Sequence, residues 1–228
     1  MNRPGARGAP ATILQKEAPM TSRTDRDAAT PGWRIGVLYS RSGVTGTTES
    51  QHFFGTVLAV EHLIGLGHTR IAFLGESPLI STGRNRYRGY CETLAKHGLP
   101  LDPTIVYSAY GTRENGLKGV QKVLDAANPP TAAVCFNDLT AFGAMLGLRH
   151  RGLEAGSDFS LIGCDDVQEA AQWYPGLTTI KNFQDEMGRK TAEMLIRRIA
   201  DPSAPPQRAV LTPELVVRGT TAPPKAAR

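Results

Sequence analysis

The sequence predicts an α/β fold built on a parallel sheet. Short aliphatic runs recur along the 228 residues from about 70 onward. Stretches with helical apolar spacing separate them, and most of these stop at Gly or Pro. Polar residues follow directly on several aliphatic runs, where strands would end.

Residues 1–32 are rich in Arg, Ala, Pro, Thr and Gly, with Ile13 and Leu14 as the only bulky aliphatics besides Met. Such a stretch buries too little apolar surface to offset its ordering entropy, so disorder is expected. Arg34–Tyr39 (RIGVLY) reads as a buried strand and 40–50 as a Ser/Gly/Thr loop. Val57, Val60 and Ile64 fall at helical spacing, and Gly65 and Gly67 end that helix. Arg70–Leu74 (RIAFL) is a second strand. A helix through Tyr87, Tyr90, Cys91 and Leu94 follows, closed by Gly98 and Pro100. Ile105–Tyr107 is a short strand, and 113–127 a helix stopped by Pro129–Pro130. Ala132–Phe136 (AAVCF) is a strand with Asn137–Asp138 at the cap of the helix 139–151. Phe159–Gly163 and Leu177–Ile180 are further strands, and 184–200 a last long helix. Two short strands near 209–218 close the fold, and the Pro/Ala-rich tail 222–228 is expected to be loose.

Composition narrows the function classes. The chain is 40% hydrophobic and 21% charged, ordinary for a globular domain. No apolar run approaches the roughly 18–20 residues of a membrane span, and no secretory h-region is present. Three separated cysteines and no signal segment fit reduced thiols in a cytoplasm. The net charge of +5 is spread thinly, with five Lys/Arg against three Asp/Glu in 1–33, so it makes no nucleic-acid footprint. The five histidines have no ligand spacing, and a metal site or cofactor is not expected.

In an open α/β sheet, ligands bind beyond the carboxyl ends of the strands. That rule selects Glu76–Ser77, Asn137–Asp138, Asp165–Asp166 and Asn182, with Arg86 inside the next helix. Asn offers donors and an acceptor, Asp paired acceptors for vicinal hydroxyls, and Arg a fork of donors. Such a rim suits a polar, sugar-like ligand. The same residues also read as structural: Asn137 and Asp138 as helix caps, and Asp165–Asp166 as a turn device. Cys164 lacks a partner His in sequence reach, and the aspartate pair lacks a phosphate cradle, so no catalytic signature emerges.

The strings AVEHLIGLGHTRIAFLG (59–75), R-x-x-G-Y (86–90), PPTAAVCFNDLTAFGAM (129–145), RGLEAGSDFSLIGCDD (151–166), PGLTTIK (175–181) and PELVVRGTT (213–221) resemble the sensor region of the LacI/GalR regulators. The resemblance implies a Rossmann-like lobe of a type I periplasmic-binding-protein fold that takes small effectors in a cleft between two lobes. It implies effector contacts at Arg86, Asn137 and Asp165, with Asn182 and Tyr110 as further candidates. Cys164 stands where the family more often carries an aromatic.

Residues 33–50 (WRIGVLYSRSGVTGTTES) resemble instead the start of amide- or amino-acid-binding proteins, which makes a transporter-type or amide-sensing solute-binding protein the alternative. Only about fifteen residues separate RIGVLY from the helix 55–67, far short of a lobe. The expectation is therefore a sensor domain over 33–221, with its main lobe at about 68–175, its first lobe largely missing and no helix-turn-helix in 1–32. DNA would then be reached only through a partner, and exposed apolar surface would favour a homodimer.

Overall fold

The computed structural model describes residues 45–225, apart from 206, 208 and 210. The segment 1–32, the strand expected at Arg34–Tyr39 and the last three residues lie outside these.

Helix α1 (Thr45–Gly65) is followed by β1 (Ile71–Gly75), α2 (Ser81–Lys96), β2 (Val106–Ser108) and α3 (Arg113–Leu124). Then come β3 (Ala132–Cys135), α4 (Asp138–Arg149), β4 (Ser160–Cys164), the short α5 (Glu169–Gln172) and β5 (Thr178–Lys181). Helix α6 (Gln184–Ala200) and β6 (Glu214–Val216) complete the order. The sheet runs β2-β1-β3-β4-β5-β6. Neighbours from β2 to β5 are parallel, and β6 pairs antiparallel with β5 at the edge.

Both faces of the sheet are covered, which is why its strands read as unbroken aliphatic runs. Alternation along β1 sends Ile71 and Phe73 to one face, with Ala59, Val60, Leu63, Tyr90 and Leu94 of α1 and α2. Ala72 and Leu74 point to the other, with Val120, Phe142, Met145 and Leu148 of α3 and α4. The α3–α4 contact is close because glycines allow it. A Cβ on Gly116 would lie 2.0 Å from the Thr140 carbonyl oxygen, and one on Gly143 would lie 1.8 Å from that of Arg113.

The structure departs from the expectations in four places. The stretch 40–50 was expected to be a loop, but α1 already begins at Thr45. Ser and Thr lower helix propensity only modestly, so their presence does not bar a helix. The main lobe extends beyond 68–175, since α1, β5 and β6 belong to the same layers and sheet. Of two strands expected near 209–218, the described residues form one, β6. The tail is held as far as Lys225. The Ala222 carbonyl accepts hydrogen bonds at the buried His68 Nε2 (2.9 Å) and from Ser160 Oγ (2.9 Å), and Lys225 pairs with Asp158. A loose tail was inferred from Pro/Ala content, which cannot report a distant His–Ser pair.

Helix α6 stands apart. It has no buried residue, and Leu195, Ile196 and Ile199 are 48%, 65% and 51% exposed.

Candidate functional site

The carboxyl ends of β3, β4 and β5 carry the polar residues that the sheet rule selected. Asn137 is the N-cap of α4: its Oδ1 accepts from the Thr140 backbone N–H at 2.8 Å. Its Nδ2 donates to the Gly111 carbonyl at 3.0 Å, tying the β2–α3 loop to the cap. Asp138, also expected as a cap, instead sits in the first turn and bridges two other elements. One carboxylate oxygen accepts the Thr179 hydroxyl at 2.5 Å and the other the Val167 N–H at 2.9 Å. Burial pushes its pKa up from 3.8 to about 6 against those two bonds, with Asp165 and Asp166 adding to the rise.

Past β4 the backbone turns sharply. Asp165 has φ 116° and Asp166 φ 51°, two consecutive non-glycine residues in the region that L side chains rarely adopt. The turn is anchored from three directions. The Asp165 N–H donates to Ile180 O at 2.8 Å, Arg218 pairs with Asp166 at 2.7 Å, and Asp138 holds the Val167 N–H. Between them these anchors keep the Asp165 carboxylate at the strand ends.

Arg86 reaches this carboxylate from α2. It is 4% exposed, and its guanidinium lies 4.4 Å over the Phe136 ring. Nη2 donates to Cys164 Sγ at 3.4 Å and lies 3.9 Å from Asp165 Oδ1. Asn182, also 4% exposed, donates through Nδ2 to Cys164 Sγ at 3.1 Å and to Asp165 Oδ1 at 3.2 Å. Burial raises the Asp165 pKa despite Arg86, and burial likewise raises the Cys164 thiol, so Cys164 serves as an acceptor here and is no thiolate.

Among the described residues, three polar atoms of this cluster are buried without a hydrogen-bond partner, Arg86 Nε and Nη1 and Asn182 Oδ1, and so is Nδ1 of His52 on α1, which feels the Arg86 charge. An open depression of about 560 Å³ beside it is lined by Asn137, Leu139, Asp165, Val167 and Gln172, among others. Of the sequence candidates, the structure brings Arg86, Asp165 and Asn182 into contact, and Asn137 shares the depression with Asp165. Tyr110 is 79% exposed on the loop next to Gly111, and its ring is outside that cluster. Sequence reasoning missed His52, because it lay in the stretch read as leading into the helix, where no face could be assigned. Among the described residues, no group of three or more His, Cys, Asp or Glu side chains could hold a metal ion. No described helix is long and apolar enough to cross a membrane.

Residues 60–221 match the family model of the periplasmic binding protein-like domain. The chain belongs to this family. Relatives that match the chain include LacI-type regulators, to which its described lobe is similar. The HTH-type transcriptional repressor PurR of Haemophilus influenzae is 32% identical over 177 residues, covering 76% of this chain and 53% of the repressor. The chain thus spans about half the length of the curated relatives it matches. A LacI family regulator from Enterococcus faecium, solved with bound ribose, superposes with a TM-score of 0.71 at 30% identity, over 77% of this chain and 65% of that one. A sugar-binding LacI family regulator from Escherichia coli, complexed with phosphate, gives 0.69 at 31% identity, over 76% and 62%.

Proposed function

We propose that this chain is the effector-sensing domain of a LacI/GalR-type transcriptional regulator and binds a small, polar, sugar-like ligand at the carboxyl ends of β3, β4 and β5. The observation that carries the reading is Arg86 and Asn182, almost wholly buried, with polar atoms that lack partners beside a fixed Asp165 carboxylate. Buried polar groups are normally satisfied, so donors and acceptors left open at strand ends fit a site that a ligand completes. Asn137 and Tyr110 form its rim in this reading.

The site acts by recognition, not by reaction. Its thiol is protonated by burial, and its guanidinium faces a carboxylate that it partly neutralises. We assign DNA contact to elements outside the described lobe, place the chain in the cytoplasm, and assign the exposed face of α6 to a homodimer contact. The likeness of 33–50 to solute-binding proteins favours a second reading, in which the chain is recovered from the periplasm after processing; cell fractionation separates the two.

A single lobe offers about half of a cleft's contacts. If a full cleft binds near micromolar, about −8 kcal/mol, half of that is near millimolar. Ligand-observed NMR with D-ribose and D-glucose should show saturable binding in that range to the full chain, lost in Arg86→Met. Binding to neither sugar, or binding that survives Arg86→Met, would remove this function. Micromolar affinity by calorimetry would keep the function and refute the half-cleft account.

A further inference from the structure

We propose that His52 is a further effector-contacting residue, presenting Nδ1 of a neutral imidazole to a hydroxyl of an uncharged polyhydroxyl ligand held by Arg86 and Asn182. The proposal rests on the sensor reading above and adds a wall to that site from α1.

The packing of α1 locates the imidazole. A Cβ on Gly55 would touch the Ile180 side chain at 2.9 Å and lie 3.9 Å from Asn182 Oδ1, so this face of α1 lies on the end of β5. A Cβ on Gly89 of α2 would meet the Phe53 carbonyl oxygen at 2.7 Å and Thr56 Cβ at 3.2 Å, so the neighbouring face lies on α2. His52 stands one turn before Gly55 and Thr56, at the i,i+3 and i,i+4 spacing that shares a helix face. Arg86 stands one turn before Gly89 on α2. The crossing therefore puts His52 one turn from the Gly55 contact with Asn182 and close enough to Arg86 to feel its charge.

The hydrogen-bond pattern agrees. Nδ1 of His52, Nε and Nη1 of Arg86, and Oδ1 of Asn182 are all buried and unpartnered. A neutral imidazole nitrogen can donate or accept according to tautomer, and a hydroxyl can do either. Burial, and then the nearby Arg86 charge, hold the His52 pKa down at about 3, so the ring stays neutral beside the guanidinium. Arg86 already faces the Asp165 carboxylate, so the group as a whole has little net charge to offer an anion. An uncharged ligand rich in hydroxyls matches both conditions.

The test uses the full chain labelled with ¹⁵N, following the imidazole nitrogens of the histidines and the side-chain amide of Asn182 during titration with D-ribose, D-glucose and inorganic phosphate. The expected result is a saturable shift of His52 together with Asn182 on adding a sugar, with the exposed His97 and His150 unmoved. His52→Leu should weaken sugar binding about fivefold to tenfold, the loss of one buried hydrogen bond, and His52→Asn, whose amide overlaps Nδ1, should restore most of it. If Asn182 shifts saturably and His52 does not, the sensor reading stands and the role of His52 falls. If phosphate alone moves His52 and protonates it, the neutral-hydroxyl assignment is overturned. If none of the probes moves either signal, both fall.

Discussion

Arg86 and Asp165 face each other across 3.9 Å, close enough to pair electrostatically and too far for a hydrogen bond. The gap is kept by the structure around it. Asp165 is fixed by a strained turn, and Arg86 is stacked on Phe136 and bonded to Cys164. A buried guanidinium with two open nitrogens costs folding free energy. Replacing it by an apolar side chain of similar volume removes that cost but strips the Asp165 carboxylate of its counter-charge. Arg86→Met is therefore expected to abolish sugar binding and to lower stability at neutral pH by roughly 3 kcal/mol, less where Asp165 is protonated. A loss that does not shrink as the pH is lowered would show that Arg86 is a structural strut independent of Asp165.

The pH dependence of stability separates Asp138 from His52. Asp138 has its folded pKa raised from 3.8 to about 6, so the folded state holds the extra proton. Its contribution is fully present below 3.8 and is lost as pH rises through about 6. Asp138→Asn keeps an acceptor for the Val167 N–H and a donor for the Thr179 hydroxyl. Relative to the parent, it should gain stability from pH 4 to pH 7, on the order of 2 kcal/mol.

His52 works in the opposite sense. Its ring is neutral when folded down to about pH 3, whereas the unfolded chain takes up a proton near 6.5. The parent therefore loses stability as pH falls from 6.5 toward 3, and His52→Asn should lose less over that window. Denaturant melts of parent and variants at each pH measure both differences, and parallel curves would contradict the assignments.

The α3–α4 contact tolerates no side chain at its glycines. Gly143→Ala would place a methyl 1.8 Å from the Arg113 carbonyl oxygen, forcing the helices apart. A loss of roughly 2–3 kcal/mol is expected, seen as a lower urea midpoint, despite the better helix propensity of Ala. An unchanged midpoint would mean that the helices slide apart freely.

The tail clasp predicts a second loss at the opposite end of the sheet. His68 is buried, bonded to Thr131 at 2.8 Å and to the Ala222 carbonyl at 2.9 Å, and the Ala222 N–H donates to Ser160 Oγ at 3.0 Å. Ending the chain at Thr221 leaves His68 and Ser160 short of partners, a cost of about 1–3 kcal/mol. Hydrogen exchange near His68 and a thermal melt would register it; a truncated chain as stable as the parent would make the clasp incidental.

Exposed Leu195, Ile196 and Ile199 on α6 predict self-association. Ile196→Asp with Ile199→Asp should shift the sizing-column position toward monomer at high concentration, with far-UV circular dichroism unchanged. A parent that is already monomeric there would dispose of the homodimer.

What the sequence alone determined is the alternation of aliphatic strands and amphipathic helices and the polar residue after each strand. Both follow from local rules: a strand buried on two faces must be apolar throughout, and its carboxyl end is where polar atoms re-emerge. Asn137, Asp165 and Asn182 were legible for that reason, and Arg86 as a donor fork in the helix that follows one of those strands. Tertiary structure decided what those rules cannot reach. It made Asn137 the cap and Asp138 a bridge, because Thr179 and the Val167 N–H arrive from distant segments. It extended α1 over residues that read as loop, and so brought His52 toward Arg86. It held Ala222 through His68 and Ser160, which lie 154 and 62 positions away along the chain. Each of these depends on a partner remote in sequence, and only the closed sheet sets which remote groups meet.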